Sequence, residues 1–269
     1  MSTGDRVAPM SKCVDRRAVL GSTLAALGLA GCARRAAPGP SQVQIVDSIA
    51  ALYAPDPGLD PDRPQDDWFR APAGRTGGFV NTMLGGQRVL QIEAASGALF
   101  GRRAELPLLG LPFLRWTWYL DPALYLGGPA EGAQRGLRLV LGFSGGAVGD
   151  RPFLGGVFLR NQPEFPDHDR RIEIAWGGQG AFPSETPLQG LSATNDRARN
   201  RQLRAPASDQ TGRWRAEVID LGELYTSFWP NDRYGETQLS FFAIGGLPAV
   251  VPLEAKSTIG YFLEVLLTR

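Results

Sequence analysis

Cysteine and histidine are scarce in this chain of 269 residues, which holds two of the first and one of the second. Two cysteines exclude a disulfide-stapled scaffold and a cysteine-rich zinc site. One histidine excludes any centre that needs two, and the sequence predicts no metal site and no cofactor. Lysine occurs only at Lys12 and Lys256, so arginine is the default cation. Charged residues make up 20% of the chain, below the usual quarter. No phosphate-binding loop is present, because Gly177-Gly-Gln-Gly180 lacks the Lys-Ser/Thr that must follow. No Gly-x-Ser-x-Gly elbow occurs either, since Gly142-Phe-Ser-Gly-Gly has the wrong spacing. Glycine and proline, by contrast, are abundant at 34 and 21 residues. With 43% hydrophobic residues the chain can bury a core, so disorder throughout is excluded.

Both cysteines, Cys13 and Cys32, lie near the N-terminus. Arg6, Lys12, Arg16 and Arg17 outweigh Asp5 and Asp15 there, and an apolar run follows from Ala18 to Ala30. Thirteen residues fall short of the 20 or so that span a bilayer core of ~30 Å, so the segment reads as a signal peptide. Leu29-Ala-Gly-Cys32 resembles a bacterial lipobox, and Asp15-Arg16-Arg17-Ala-Val-Leu20 resembles a twin-arginine export motif. The resemblance implies cleavage before Cys32 and lipidation of its thiol, with Arg16 and Arg17 directing export. Residues 1–31 are then the signal, residues 32–65 a lipidated N-terminus and flexible tether, and residues 66–269 the domain. The expected location is the cell envelope, anchored to a membrane and facing the periplasm. Removing residues 1–31 leaves 24 basic and 25 acidic side chains, a balance that does not suit a nucleic-acid binder.

Within the tether, Ile45–Tyr53 reads as a short helix, and the prolines of Ala54–Gln65 keep that stretch irregular. From Trp68 onward the hydrophobic period is two. Leu114, Trp116, Trp118 and Leu120 share one strand face. Similar alternation marks 89–94, 137–143, 153–160, 171–176, 213–219, 239–244 and 259–268. About eight short strands between Gly/Pro/Asn/Asp loops predict an all-β fold, a single jelly-roll-like antiparallel β-sandwich. Leu221–Phe228 allows one short helical turn before Pro230.

The segments Arg88-Val-Leu-Gln-Ile-Glu-Ala94, Leu114-Arg-Trp-Thr-Trp118, Leu137-Arg-Leu-Val-Leu-Gly-Phe143, Ile174-Ala-Trp-Gly177, Gly212-Arg-Trp214 and Ile259-Gly-Tyr-Phe-Leu-Glu264 resemble the bacterial domain-of-unknown-function 3047 family. The resemblance covers about residues 66–269. It implies an exported β-sandwich similar to carbohydrate-binding jelly rolls, and implies no activity.

Several residues are candidates for chemistry. Trp116 and Trp118 offer a flat platform for sugar rings, but Leu114 and Leu120 on the same face favour the core. Trp176 precedes two glycines at a strand end and Trp229 lies in a Phe-Trp-Pro-Asn-Asp loop, positions where a binding aromatic is expected. The loop Asn161–Arg171 gathers Asn161, His168 and Asp169 with further carboxylates. Calcium is one occupant such carboxylates take, and an acid–base pair is another use, yet no Asp-x-Asp-x-Asp-Gly loop is present. Arg197, Arg199, Arg201, Arg204, Arg213 and Arg215 cluster within 19 residues, and Arg199 and Arg201 are candidates for anionic groups on a glycan or lipid. The leading expectation is non-catalytic binding of a glycan or other envelope ligand. One alternative is a carbohydrate-active hydrolase or lyase using paired carboxylates from Glu173, Glu217, Asp220 and Glu264. Another is a structural lipoprotein with a protein partner.

Overall fold

A computed structural model describes residues 43, 45–65, 67–71, 78–93, 98–122, 136–148, 165–177, 198–204, 211–246 and 258–269. The chain divides into two units, Met1–Gly39 and Pro40–Arg269. The first lies outside the described residues, and with it Arg16, Arg17 and Cys32. The expected strand at 153–160 and the candidate Asn161 also lie outside them.

Among the described residues of the second unit are thirteen strands. These are β1 (Ile45–Val46), β2 (Ile49–Tyr53), β3 (Trp68–Ala71), β4 (Phe79–Leu84), β5 (Gln87–Glu93), β6 (Leu99–Pro107), β7 (Phe113–Leu120), β8 (Gly136–Ser144), β9 (Arg170–Gly177), β10 (Ala198–Arg204), β11 (Trp214–Asp220), β12 (Gln238–Gly246) and β13 (Thr258–Thr268). One helix, α1, spans Leu221–Phe228. A six-stranded sheet runs in the order β10-β9-β8-β12-β6-β3. A seven-stranded sheet is built on β13, which pairs with β7 on one side and with β5 and β2 on the other. β11 adds to β7, β4 to β5 and β1 to β2. From β5 to β8 the chain passes between the sheets at every strand, as in a jelly roll, and the all-β sandwich is the observed fold.

The period-two pattern explains the core. Leu114, Trp116, Trp118 and Leu120 of β7 are all buried and face Leu137, Leu139, Leu141, Ile172, Ile174 and Trp176 of the other sheet. Trp118 meets Trp176 across the sheets at 4.9 Å between ring centroids. β8 is buried along nearly its whole length, because the outer face of the six-stranded sheet carries a second cluster of Phe69, Leu99, Val140, Phe241 and Ala243. Glycines let rings lie flat on that face: a Cβ at Gly142 would stand 2.0 Å from the Phe241 ring, and one at Gly101 2.6 Å from Phe69.

One expectation is corrected and two gain detail. Residues 45–53 form a hairpin, not a helix, and β2 pairs with β13, so sheet structure begins well before residue 66. Its two-residue turn, Asp47-Ser48, takes positive φ at 50° and 65°, the geometry that turns a tight hairpin with the strand twist. The sandwich is not wholly antiparallel, since β10 runs parallel to β9 at one edge. Finally, Leu221–Phe228 is a helix of eight residues, started by the Asp220 carboxylate, which accepts from the Glu223 amide at 2.8 Å.

Candidate functional site

Prolines 55, 57, 61 and 64 keep the segment between β2 and β3 out of either sheet, and short side chains fold it into turns. Asp56 Oδ1 accepts from the Gly58 amide at 2.7 Å, and Asp60 Oδ1 from the Asp62 amide at 2.9 Å. Arg70 braces the segment from below, donating to Pro61 O and to Asp62 Oδ1, each at 2.7 Å. Asn81 on β4 donates through Nδ2 to Leu59 O. The result is an open cleft of about 360 Å³ at the β3 edge of the six-stranded sheet, with Pro55, Asp56, Gln65, Asp67, Trp68 and Arg102 among its walls.

Trp68 is half-buried there and its indole is fixed on several sides. It stacks on Phe100 at 4.7 Å and 10°, meets Tyr53 edge-on at 6.2 Å, and has the Arg102 guanidinium 5.6 Å from its ring centroid. Arg102 in turn donates from Nε to Asp67 Oδ2 at 2.6 Å. Burial pushes the Tyr53 hydroxyl's pKa up, against the opposing charge of Arg88, so the ring beneath Trp68 stays neutral. The cleft thus brings together an indole, carboxylates, an amide and a guanidinium, with Trp68 held by packing and Arg102 by its ion pair with Asp67. Sequence reasoning passed over Trp68, Asp67, Gln65 and Arg102. The available signal was a tryptophan placed directly after a proline-broken, aspartate-rich segment.

The aromatic candidates from sequence lie elsewhere. Trp176 is fully buried and Trp229 is 3% exposed, so neither presents a binding surface. Trp176 shares its strand parity with Ile172 and Ile174, and that parity, not the glycines after it, sets its direction. Trp229 packs on Tyr225 at 5.0 Å and lies beneath the Arg170 guanidinium. Trp116 and Trp118 are core residues as well. His168 is half-buried, with Nδ1 2.8 Å from Pro166 O and its ring edge-on to Phe241 at 5.2 Å. Asp169 accepts from the Gly145 amide at 3.0 Å, and its own amide donates to Phe143 O at 2.7 Å. Asp169 fastens the loop to the end of β8, and His168 packs it against Phe241 of β12. Arg199 and Arg201 lie on edge strand β10, in register with Ile172 and Ile174. That edge is the opposite one from the cleft, so they do not join it.

Comparison with family models finds no match, and neither does comparison with curated proteins. Solved structures resemble the chain weakly. A family 12 glycoside hydrolase is 9% identical over 76% of this chain and 94% of its own, with a TM-score of 0.41. The Trichoderma harzianum endoglucanase 3 from family GH12 is 11% identical over 66% and 68%, with a TM-score of 0.32. The catalytic domain of Humicola grisea Cel12A is 12% identical over 81% and 91%, with a TM-score of 0.35. A likeness this low does not extend to site residues.

The carboxylates proposed for hydrolysis do not converge. Glu173 lies on the outer face of the six-stranded sheet between Arg138 at 3.1 Å and Arg171 at 3.3 Å. Glu217 is buried and opposite Trp116, on the inner face of β11. Asp220 caps α1, and Glu264 accepts from Thr117 Oγ1 at 3.4 Å on the outer face of the other sheet. Another carboxylate, that of Asp232, has a side chain 2% exposed and takes both arms of Arg170, at 2.7 and 2.9 Å. The Tyr225 hydroxyl and the Val148 amide also donate to it, each at 2.9 Å. Burial works to raise its pKa, but these four bonds prevail and hold it below the ordinary aspartate value.

Proposed function

We propose that this chain is a lipid-anchored envelope protein whose β-sandwich binds a glycan, without catalysis, in the cleft beside Trp68. One observation carries the ligand class: a fixed, half-buried indole on the wall of an open cleft that also holds Asp56, Gln65, Asp67 and Arg102. Sugar rings present an apolar C–H face and a rim of hydroxyls. An aromatic surface beside carboxylate, amide and guanidinium groups matches both, and a preformed site avoids the cost of ordering it. The anchor follows from Cys32 in its lipobox-like setting and the export route from Arg16 and Arg17, in keeping with a member of the domain-of-unknown-function 3047 family facing the periplasm.

Calorimetric titration with neutral oligosaccharides identified on a glycan array tests the cleft. Trp68→Ala should weaken binding about tenfold or more, equivalent to roughly 1.4 kcal/mol. Trp176→Ala should lower the melting temperature instead. Unchanged affinity in Trp68→Ala refutes the cleft. The anchor is tested by fatty-acid labelling and fractionation: Cys32→Ala should lose the label and leave the membrane, and a retained label refutes it.

A further inference from the structure

The outer face of the seven-stranded sheet carries a group of exposed apolar side chains. Cross-strand register places Val46, Ile49, Thr268 and Phe113 in one row over β1, β2, β13 and β7. The adjoining row holds Leu266, Arg115 and Val218 over β13, β7 and β11. Residues directly opposite in an antiparallel pair share a face, so these side chains form one surface. Val46 is 61% exposed, Val218 57%, Ile49 42% and Phe113 37%. A contiguous apolar surface that water covers marks a contact face.

We infer that this surface rests on the lipid bilayer that holds the chain's own anchor, an inference that depends on the lipidation of Cys32. Two observations select lipid as the occupant. Val46 belongs both to the surface and to the first strand after the anchor. Thirteen residues lie between Cys32 and Val46, a reach of at most about 50 Å even if fully extended. The chain therefore enters the domain at the edge of this surface, on the tether that leads from the anchor. Arg115, exposed in the middle of the surface, is placed to lay its aliphatic stem along Val218 and Leu266 and to meet lipid phosphates with its guanidinium. The nearby carboxylate of Asp220 is occupied in capping α1.

The test uses the lipidated full-length protein in vesicles of phosphatidylcholine and phosphatidylglycerol. After lipidation no thiol remains free, so single variants Ile49→Cys, Val218→Cys and Met83→Cys can each carry a fluorophore. Met83 is 56% exposed on β4, outside the proposed contact, and serves as the reference. Brominated lipid should quench the labels at positions 49 and 218 about threefold more than the label at 83, as expected for groups seated at the headgroup boundary. Adding Val46→Asp with Phe113→Asp should erase that difference while the melting temperature stays within a few degrees. Equal quenching at all three positions overturns the inference. So does a dimer that shields positions 49 and 218 from bromolipid, which would assign the surface to a second copy. Fatty-acid labelling is read on the same sample: its absence removes the anchor and this inference with it, whereas a labelled protein without quenching leaves the anchor intact and removes the docking alone.

Discussion

Asp232→Ala should cost about 3–5 kcal/mol of folding stability, the range for breaking a buried ion pair by removing one partner. Asp232 and Arg170 are 2% and 3% exposed, so neither charge has water to fall back on. The substitution strands the guanidinium, the Tyr225 hydroxyl and the Val148 amide together. Because a domain holds only about 5–15 kcal/mol in all, denaturant titration should show a large fall in midpoint. The pH dependence gives a second reading. The folded pKa of Asp232 lies below its ordinary value of 3.8, so its contribution is fully present above that pH. It is lost as pH falls further, through the folded pKa. Asp232→Ala should therefore lose most stability near neutral pH and lose progressively less in strong acid. A loss that is independent of pH, or a variant as stable as the parent, refutes the assignment of this pair as a clamp between β9 and the α1–β12 loop.

Glu173→Gln should destabilise by a similar amount, about 3–5 kcal/mol. Its carboxylate is shared by Arg138 and Arg171, and the side chains of the three are 5%, 11% and 6% exposed. The amide keeps the shape and removes the negative charge, leaving two guanidinium groups on neighbouring strands without the charge they share. Arg138 also donates to Gly246 O at 3.0 Å, so the loss should loosen the end of β12 as well. The contrasting variant is Arg138→Met with Glu173→Leu and Arg171→Met. Replacing all three charges by apolar groups should be neutral or stabilising by about 1–4 kcal/mol. Chemical denaturation of both variants decides the matter. If Glu173→Gln is harmless, the triad is not an electrostatic unit, and if the triple variant unfolds, it does more than offset its own burial.

How much of this was legible beforehand depended on whether a signal was local. Alternation over 114–120 and 259–268 is long and clear, and β7 and β13 lie there. β4 went unread, although Gly85 and Gly86 turn the β4–β5 hairpin and both take positive φ. The β1–β2 hairpin turns on Asp47-Ser48, without glycine, and five apolar residues in a row concealed its period. β10 escaped because its seven residues include three arginines, and its parallel pairing with β9 is decided across twenty intervening residues. The site was less legible still. Trp176 and Trp229 share the composition of binding residues, but strand parity and the pairing of Arg170 with Asp232 bury them. Trp68 becomes a cleft wall only because β3 pairs with β6 and brings Phe100 and Arg102 against it, contacts made some thirty residues away in the chain.

The position of β13 sets an order on how the domain can be made. It is the last of the thirteen described strands, yet it is the hub of its sheet, joining β7 to β5 and to β2. During synthesis every earlier strand of that sheet leaves the ribosome before the strand that unites them exists. β1–β2, β4–β5 and the β7–β11 pair must wait as separate pieces, with the free edge of β7 unpaired and Trp118 without its Phe262 neighbour. Closure then occurs in one late step rather than by growth from the N-terminus. Such long-range pairing is slow, and for that interval the unfinished chain depends on whatever keeps exposed apolar surface from associating with its neighbours.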